Sequence, residues 1–158
     1  MKLPIPANEQ DRLAAVEGLR ILETAPEPEF DELAHLAARI CGAPIAQINL
    51  VTSNHAWAKA NIGFPDRNTK RTLTVCGFVV GAGQPIVIPD THQDERSSLL
   101  PMVVQGPKIR FYAGVPLILK GRTTVGTLCV MDTSIRSIEL EQLGALQTLA
   151  RQVVAHLE

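Results

Sequence analysis

The stretch that most constrains the fold is IRFYAGVPLILK followed by TTVGTLCVMD. Both runs are rich in branched and aromatic residues, and only Lys120-Gly121-Arg122 separates them. Two such runs joined by a tight glycine turn predict a β-hairpin. A second pair, IAQINLV and HAWAKANIG, meets at Thr52-Ser53-Asn54 and predicts another. Strands joined by tight turns lie antiparallel. The chain is therefore expected to contain an antiparallel sheet and no strand-helix alternation of the doubly wound kind.

Helical patterns flank these hairpins. EQDRLAAVEGLRILE is expected to form a helix capped by Asn8, with Leu13, Val16, Leu19 and Ile21 along its apolar side. Thr24 to Pro28 breaks it, and EFDELAHLAARIC follows with Phe30, Leu33, Leu36, Ala37 and Ile40 on one face. Gly42 is a natural stop for that second helix. The last segment, from Ser137 to Glu158, repeats leucine and valine at helical spacing, with Ser137 as a candidate cap. Between the hairpins, TLTVCGFVVGAGQ suggests a short helix with a glycine-rich exit, and PIVIPD a short strand. Residues 64–71 read as a polar loop, and residues 91–106 as an irregular segment with a short helix near Ser97 to Val104. So long a segment within a compact domain is commonly a functional cover. The expected class is α+β: a central antiparallel sheet of five to six strands, the N- and C-terminal helices on one face, and short helices and loops over a pocket on the other. One domain spans 1–158, with residues 1–7 as an N-terminal arm.

Composition limits the function classes. A net charge of -1 offers no general attraction for nucleic acid or anionic lipid. Lys59, Arg67, Lys70 and Arg71 lie close in sequence and read as a solvated loop. No apolar run is long enough to cross a membrane, and the N-terminus has no signal-peptide pattern, so a cytoplasmic location is expected. Cys41, Cys76 and Cys129 are odd in number and widely spaced, which supports neither a disulfide framework nor a zinc site. The four histidines lack metal-ligand spacing, and the group Asp90, His92, Asp94 and Glu95 reads as turn capping.

Six residues are candidates for a ligand site. Cys76 lies on the short helix, where a helix dipole lowers a thiol pKa, although a buried cysteine is often an apolar filler. Phe78 is two residues on. Asp90 can orient the cover loop. On strand alternation Arg110 and Tyr112 share one face and Phe111 and Ala113 the other; both faces are apolar, so which one meets the pocket stays open. Trp57, with Lys59 and Asn61 on its side, forms either a pocket wall or a packing residue beneath a loop. Cys129 and Asp132 are three positions apart, so a regular strand points them to opposite faces and they are not a catalytic pair. Cys41 and Cys129 read as core residues.

ILETAPEPEFDELAHLAARICGAPIAQINLV resembles the opening of bacterial GAF domains. IPDTHQDERSSLLPMVVQGPKIRFYAGVPL and VGTLCVMD resemble later parts of that family, so the likeness runs from about Ala7 to Val154. It implies a sheet with helices from both chain ends on one side and a small-ligand pocket on the other. It also implies a sensor or regulatory module, commonly joined to a histidine kinase, a diguanylate cyclase or a transcriptional regulator. Relatives often carry a Cys-Ala-His-like triplet where this chain has Cys76-Gly77-Phe78. Loss of the imidazole argues against a metal, haem or covalent bilin there, and the ligand remains unidentified. The reading is a non-enzymatic sensor that dimerises through its terminal helices, the last of which continues toward an output domain. One branch of the family consists of free methionine sulfoxide reductases. That thiol-dependent activity is the enzymatic alternative, and a ligand-free dimerisation module is the third.

Overall fold

The structure is a computed structural model that describes residues 2–120 and 122–158; Gly121 of the expected hairpin turn lies outside the described residues. Helices α1 (Glu9–Gly18) and α2 (Pro28–Cys41) precede strands β1 (Ile45–Val51), β2 (His55–Ile62) and β3 (Asn68–Lys70). Helix α3 (Cys76–Ala82), strand β4 (Ile86–Ile88) and helix α4 (Pro101–Val104) lead to β5 (Phe111–Ile118) and β6 (Thr124–Asp132). Helix α5 (Leu140–Leu157) comes last. The sheet order is β3-β2-β1-β6-β5-β4, with every neighbouring pair antiparallel. The expected α+β class, the six strands and the helices of both chain ends on one face are all present.

Alternation along the strands builds two cores. Ala46, Ile48 and Leu50 of β1, Phe111, Ala113, Val115 and Leu117 of β5, and Leu128 and Val130 of β6 face α1, α2 and α5. Ile45 and Val51, Tyr112, and Cys129 and Met131 face α3 and the cover. The question left open by the sequence is thereby settled: Phe111 faces the helices and Tyr112 the cover.

Several expectations are corrected in detail. Helix α1 stops at Gly18, because Arg20 and Glu23 both take positive φ and turn the chain out of the helix. Asn8 makes no side-chain cap bond. In α2 the residues against the sheet are Phe30, Ala34, Ala37, Ala38 and Cys41, while Leu36 is exposed. Alanines let helix and sheet approach closely, so the leucine stripe is rotated away from the inner face. Gly42 ends α2 in the left-handed conformation as expected. Helix α5 is capped by Glu139, not Ser137, in a reciprocal bond with Gln142. The loop 64–71 contains the edge strand β3, whose polar sequence NTK concealed it.

The reading of the basic group as solvated fails for two of its members, because Lys59 and Arg71 are both buried. The Lys59 ammonium donates to Thr24 Oγ1 at 2.7 Å and to the Ala25 carbonyl at 2.6 Å, and pairs with Glu27 at 2.5 Å. Arg71 shares Glu9 with Arg12. Arg12 Nε and Nη2 donate to the two Glu9 oxygens at 2.8 and 3.0 Å, and Arg71 Nη1 reaches Glu9 Oε2 at 2.6 Å. Arg12 Nη1 also donates to the Val51 carbonyl at 2.6 Å, fastening α1 to the end of β1.

Candidate functional site

The cover-side core is apolar at its margins and polar at its centre. Gln47 and Asn49 project from β1 at alternate positions, hence to one face. Asn49 stands opposite Thr127 in the β1–β6 register, and Gln47 opposite Cys129. Tyr112 comes from β5, where a Cβ on Gly114 would collide with its ring, so the glycine leaves room for the phenol. Cys76 opens α3 above them.

These groups form one buried network. Thr127 Oγ1 donates to Cys76 Sγ at 3.2 Å, and Tyr112 Oη lies 3.4 Å from the same sulfur. Asn49 Nδ2 lies 3.5 Å from Cys76 Sγ and 3.8 Å from Cys129 Sγ, and donates to Gln47 Oε1 at 3.2 Å. The Asn49 amide thus stands between the two sulfurs, which it brings into one cluster. The neighbouring Cys129 thiol, as a proton donor, helped by Thr127, Tyr112 and Asn49, outweighs burial and brings the Cys76 thiol down to about 7. The neighbouring Cys76 sulfur, with burial, pushes Cys129 well above its ordinary value. Burial and the neighbouring thiols raise Tyr112 as well. Of the two sulfurs, Cys76 is the one whose anion the surrounding donors favour.

Free space beside Cys76 amounts to about 10 Å³, bounded by Gln47, Phe64, Met102 and Met131 among others. That is about the room one water needs. Met102 of α4 is the point where the 91–106 segment reaches the cluster. The segment is held by its own bonds: Ser97 Oγ donates to the Thr91 carbonyl at 2.7 Å, and Thr91 Oγ1 to the Ile109 carbonyl at 2.7 Å.

The six sequence candidates do not converge. Cys76 and Tyr112 meet at the cluster. Phe78 is buried in the same core but is not in contact with the void. Arg110 precedes β5, and Ile109 takes the place beside Tyr112 in the cover-side core, so Arg110 and Tyr112 do not work together. Arg110 instead pairs with Asp90 at 3.2 Å in a half-open hollow with His92 and Lys108. Asp90 also accepts from the His92 backbone N–H at 3.1 Å, the turn-orienting bond expected of it. Trp57 stands opposite Leu50, on the helix side, against Thr24 and Pro26 of the α1–α2 loop. Its separation from Asn61 follows from a bulge: Ile48 pairs with Ala60 and Asn49 with Ala58, so Lys59 is an extra residue and alternation reverses after it. Trp57 is thus the packing residue beneath a loop, and Asn61 faces the cover, accepting from Gln47 at 3.1 Å. Asp132 pairs with Arg136 at 3.0 Å, away from Cys129, as the odd spacing requires.

Sequence reasoning missed Gln47, Asn49 and Thr127. A signal was available for the first two: polar residues at i and i+2 in an otherwise apolar strand mark a buried polar patch. Among the described residues no three His, Cys, Asp or Glu side chains converge as a metal site, and no helix is long and apolar enough to cross a membrane.

A family model for the GAF domain matches residues 25–157. The chain belongs to the GAF domain family. It is 32% identical over 155 residues to a cyclic di-GMP phosphodiesterase of Pseudomonas aeruginosa, covering 98% of this chain but only 26% of that protein. The fold is that of the GAF domain of a phosphoenolpyruvate-protein phosphotransferase from Acinetobacter, with a TM-score of 0.68, 15% identity, and 93% and 92% of the two chains covered. It is equally that of a type II free methionine-R-sulfoxide reductase from Thermoplasma acidophilum, with a TM-score of 0.69, 10% identity, and 90% and 94% covered. At these identities the two structures speak for the fold alone. The chain spans about a quarter of its curated relative, and the family-model match includes α5 but not α1.

Proposed function

We propose that this GAF domain is the regulatory module of a longer cytoplasmic signalling protein, receiving its input at the Cys76 cluster and passing it through the terminal helices. The observation that carries the reading is the buried polar network itself. Gln47, Asn49, Thr127 and Tyr112 lie in a core where apolar side chains would pack without any desolvation cost. Such a network is explained by what it does to Cys76. The partial coverage of the Pseudomonas relative supports a place within a larger chain. The attached output would be an enzyme of cyclic dinucleotide turnover or a histidine kinase.

Small-molecule pockets run to roughly 300–1,000 Å³. Against a void of about 10 Å³, an organic ligand enters only if Phe64, Met102 and the 91–106 cover move away. Input and output would be joined through α3, where Gly77 meets Leu3 of the N-terminal arm and Gly81 meets Pro4. Dimerisation through α1 and α5 belongs to the same proposal, and it should appear by light scattering as twice the monomer mass. The coupling is tested by hydrogen exchange on Asn49→Leu and Tyr112→Phe. Neither residue touches α5, yet exchange in α1 and α5 should change by about threefold or more. Unchanged exchange in both helices would refute the coupling.

The adjacency of Cys76 and Cys129 favours a second reading, a thiol-dependent reductase of free methionine sulfoxide. The closed void opposes it, since that substrate does not fit beneath Met102. Turnover of free methionine sulfoxide with a dithiol reductant, abolished by Cys76→Ser, would establish it.

A further inference from the structure

Cys76 and Cys129 are brought together from α3 and β6, and packing alone does not require sulfur at either position. Both side chains are buried, at 4% and 0% exposure, and Asn49 Nδ2 spans the two sulfurs. Thr127, Tyr112 and Asn49 all lie within hydrogen-bonding reach of Cys76 Sγ and favour its anion. Cys129 keeps its proton and supplies the second sulfur. Cys41 is buried on the opposite side of the sheet, among the residues of α2. The void of about 10 Å³ beside Cys76 has room for about one water, so only a very small reactant can approach the sulfur.

We propose that Cys76 and Cys129 form a two-electron redox site that a small hydroperoxide converts to an intramolecular disulfide. The Cys76 thiolate attacks the peroxide: an S–O bond forms, the O–O bond breaks, and the departing oxygen takes up a proton. The sulfur is oxidised to a sulfenic acid and the peroxide is reduced. Cys129 then gives up its proton and attacks the Cys76 sulfur. The S–S bond forms, the S–O bond breaks, and hydroxide leaves with that proton as water. With hydrogen peroxide, two thiols and one oxidant yield one disulfide and two waters. The bond requires Cβ atoms about 3.5–4.5 Å apart, which fixes α3 against β6. Because the N-terminal arm rests on Gly77 and Gly81 of α3, the oxidised site would report to α1. The proposal rests on the reading of this cluster as the input site.

The test uses the reduced protein, hydrogen peroxide in slight excess, and alkylation of the remaining thiols before mass spectrometry. The expected product is about 2 Da lighter before alkylation, carries one cross-linked peptide pair containing Cys76 and Cys129, and leaves Cys41 alkylated. Cys129→Ser should stop at the sulfenic acid, about 16 Da heavier, and Cys76→Ser should not react. Free Cys76 and Cys129 after treatment, or oxidation confined to Cys41, would overturn the proposal. The wild-type experiment decides this even if a serine variant fails to fold. If no disulfide forms while Asn49→Leu still alters exchange in α1 and α5, the redox chemistry fails and the input reading stands. If the disulfide forms without any change in those helices, the redox site stands and the input reading fails.

Discussion

Replacing Glu9 by Gln removes the one carboxylate between two buried guanidiniums, Arg12 and Arg71, which are 0% and 2% exposed. Breaking a buried ion pair by removing one partner costs about 3–5 kcal/mol, because the remaining charge is left uncompensated. Gln retains one carbonyl oxygen to accept a bond, so the lower end applies, about 3 kcal/mol. Unfolding entropy of roughly 2.1 cal/mol/K per residue, over 158 residues, turns that into a fall in Tm of about 9 °C. Acid provides a second arm. Burial raises the Glu9 carboxyl, but the hydrogen bonds and charges of Arg12 and Arg71 outweigh it and lower it from 4.5 to about 2. Its stabilisation is therefore complete above pH 4.5 and lost as the pH falls through 2. The shift would correspond to roughly 3 kcal/mol, and solvent access to the carboxyl reduces this to about 2 kcal/mol. Urea denaturation at pH 7 and at steps down to pH 2.5 should show Glu9→Gln less stable at neutrality, with the gap narrowing below pH 4.5. A difference under about 1 kcal/mol at pH 7, or a gap independent of pH, would refute the assignment of Glu9 as the partner of both arginines.

Other consequences are open to direct measurement. Cys129→Ala removes the neighbouring thiol that most favours the Cys76 anion, so the thiolate absorbance of Cys76 should titrate well above 7, and an unchanged titration would count against the pair. Gly81→Val would set its Cβ within 2.5 Å of the Pro4 carbonyl oxygen, which should dislodge the arm and speed proteolysis before α1, with little effect on the strands. Gly126→Ala would drive its Cβ into the Asn49 carbonyl at the β1–β6 pairing; a loss of at least about 2 kcal/mol in urea is expected, and near-wild-type stability would show that β1 and β6 can separate there.

The hairpins were legible because their apolar runs are long and their turns short, and they carried the sheet with them. What escaped was decided by contacts between distant parts of the chain. Lys59 and Arg71 look like surface charges until Thr24, Glu27 and Glu9 are brought to them from the N-terminal region. The side of Trp57 could not be read, since one bulged residue reverses the alternation after Lys59. The face of Tyr112 was unreadable for another reason: in β5 both faces are buried, so no polar stripe marks the outside. Cys76 was a visible candidate by its position on a short helix. That Cys129 is its partner could be raised only as part of the reductase alternative, because the β1–β6 pairing and the packing of α3 that bring the two together join segments far apart in sequence.

The order of strands also bears on how the chain reaches this structure. The first three strands form one antiparallel ribbon and the last three another, and the two are joined only where β1 meets β6. Ile45 pairs with Met131, so the middle of the sheet closes across most of the length of the chain. During synthesis β1 therefore emerges early and waits with one edge unpaired and its helix-side face apolar, until the residues of β6 have been made. Closing so distant a contact is slow, and an uncovered apolar strand edge invites pairing with other chains. Folding is thus gated by the arrival of β6, the same strand that delivers Cys129.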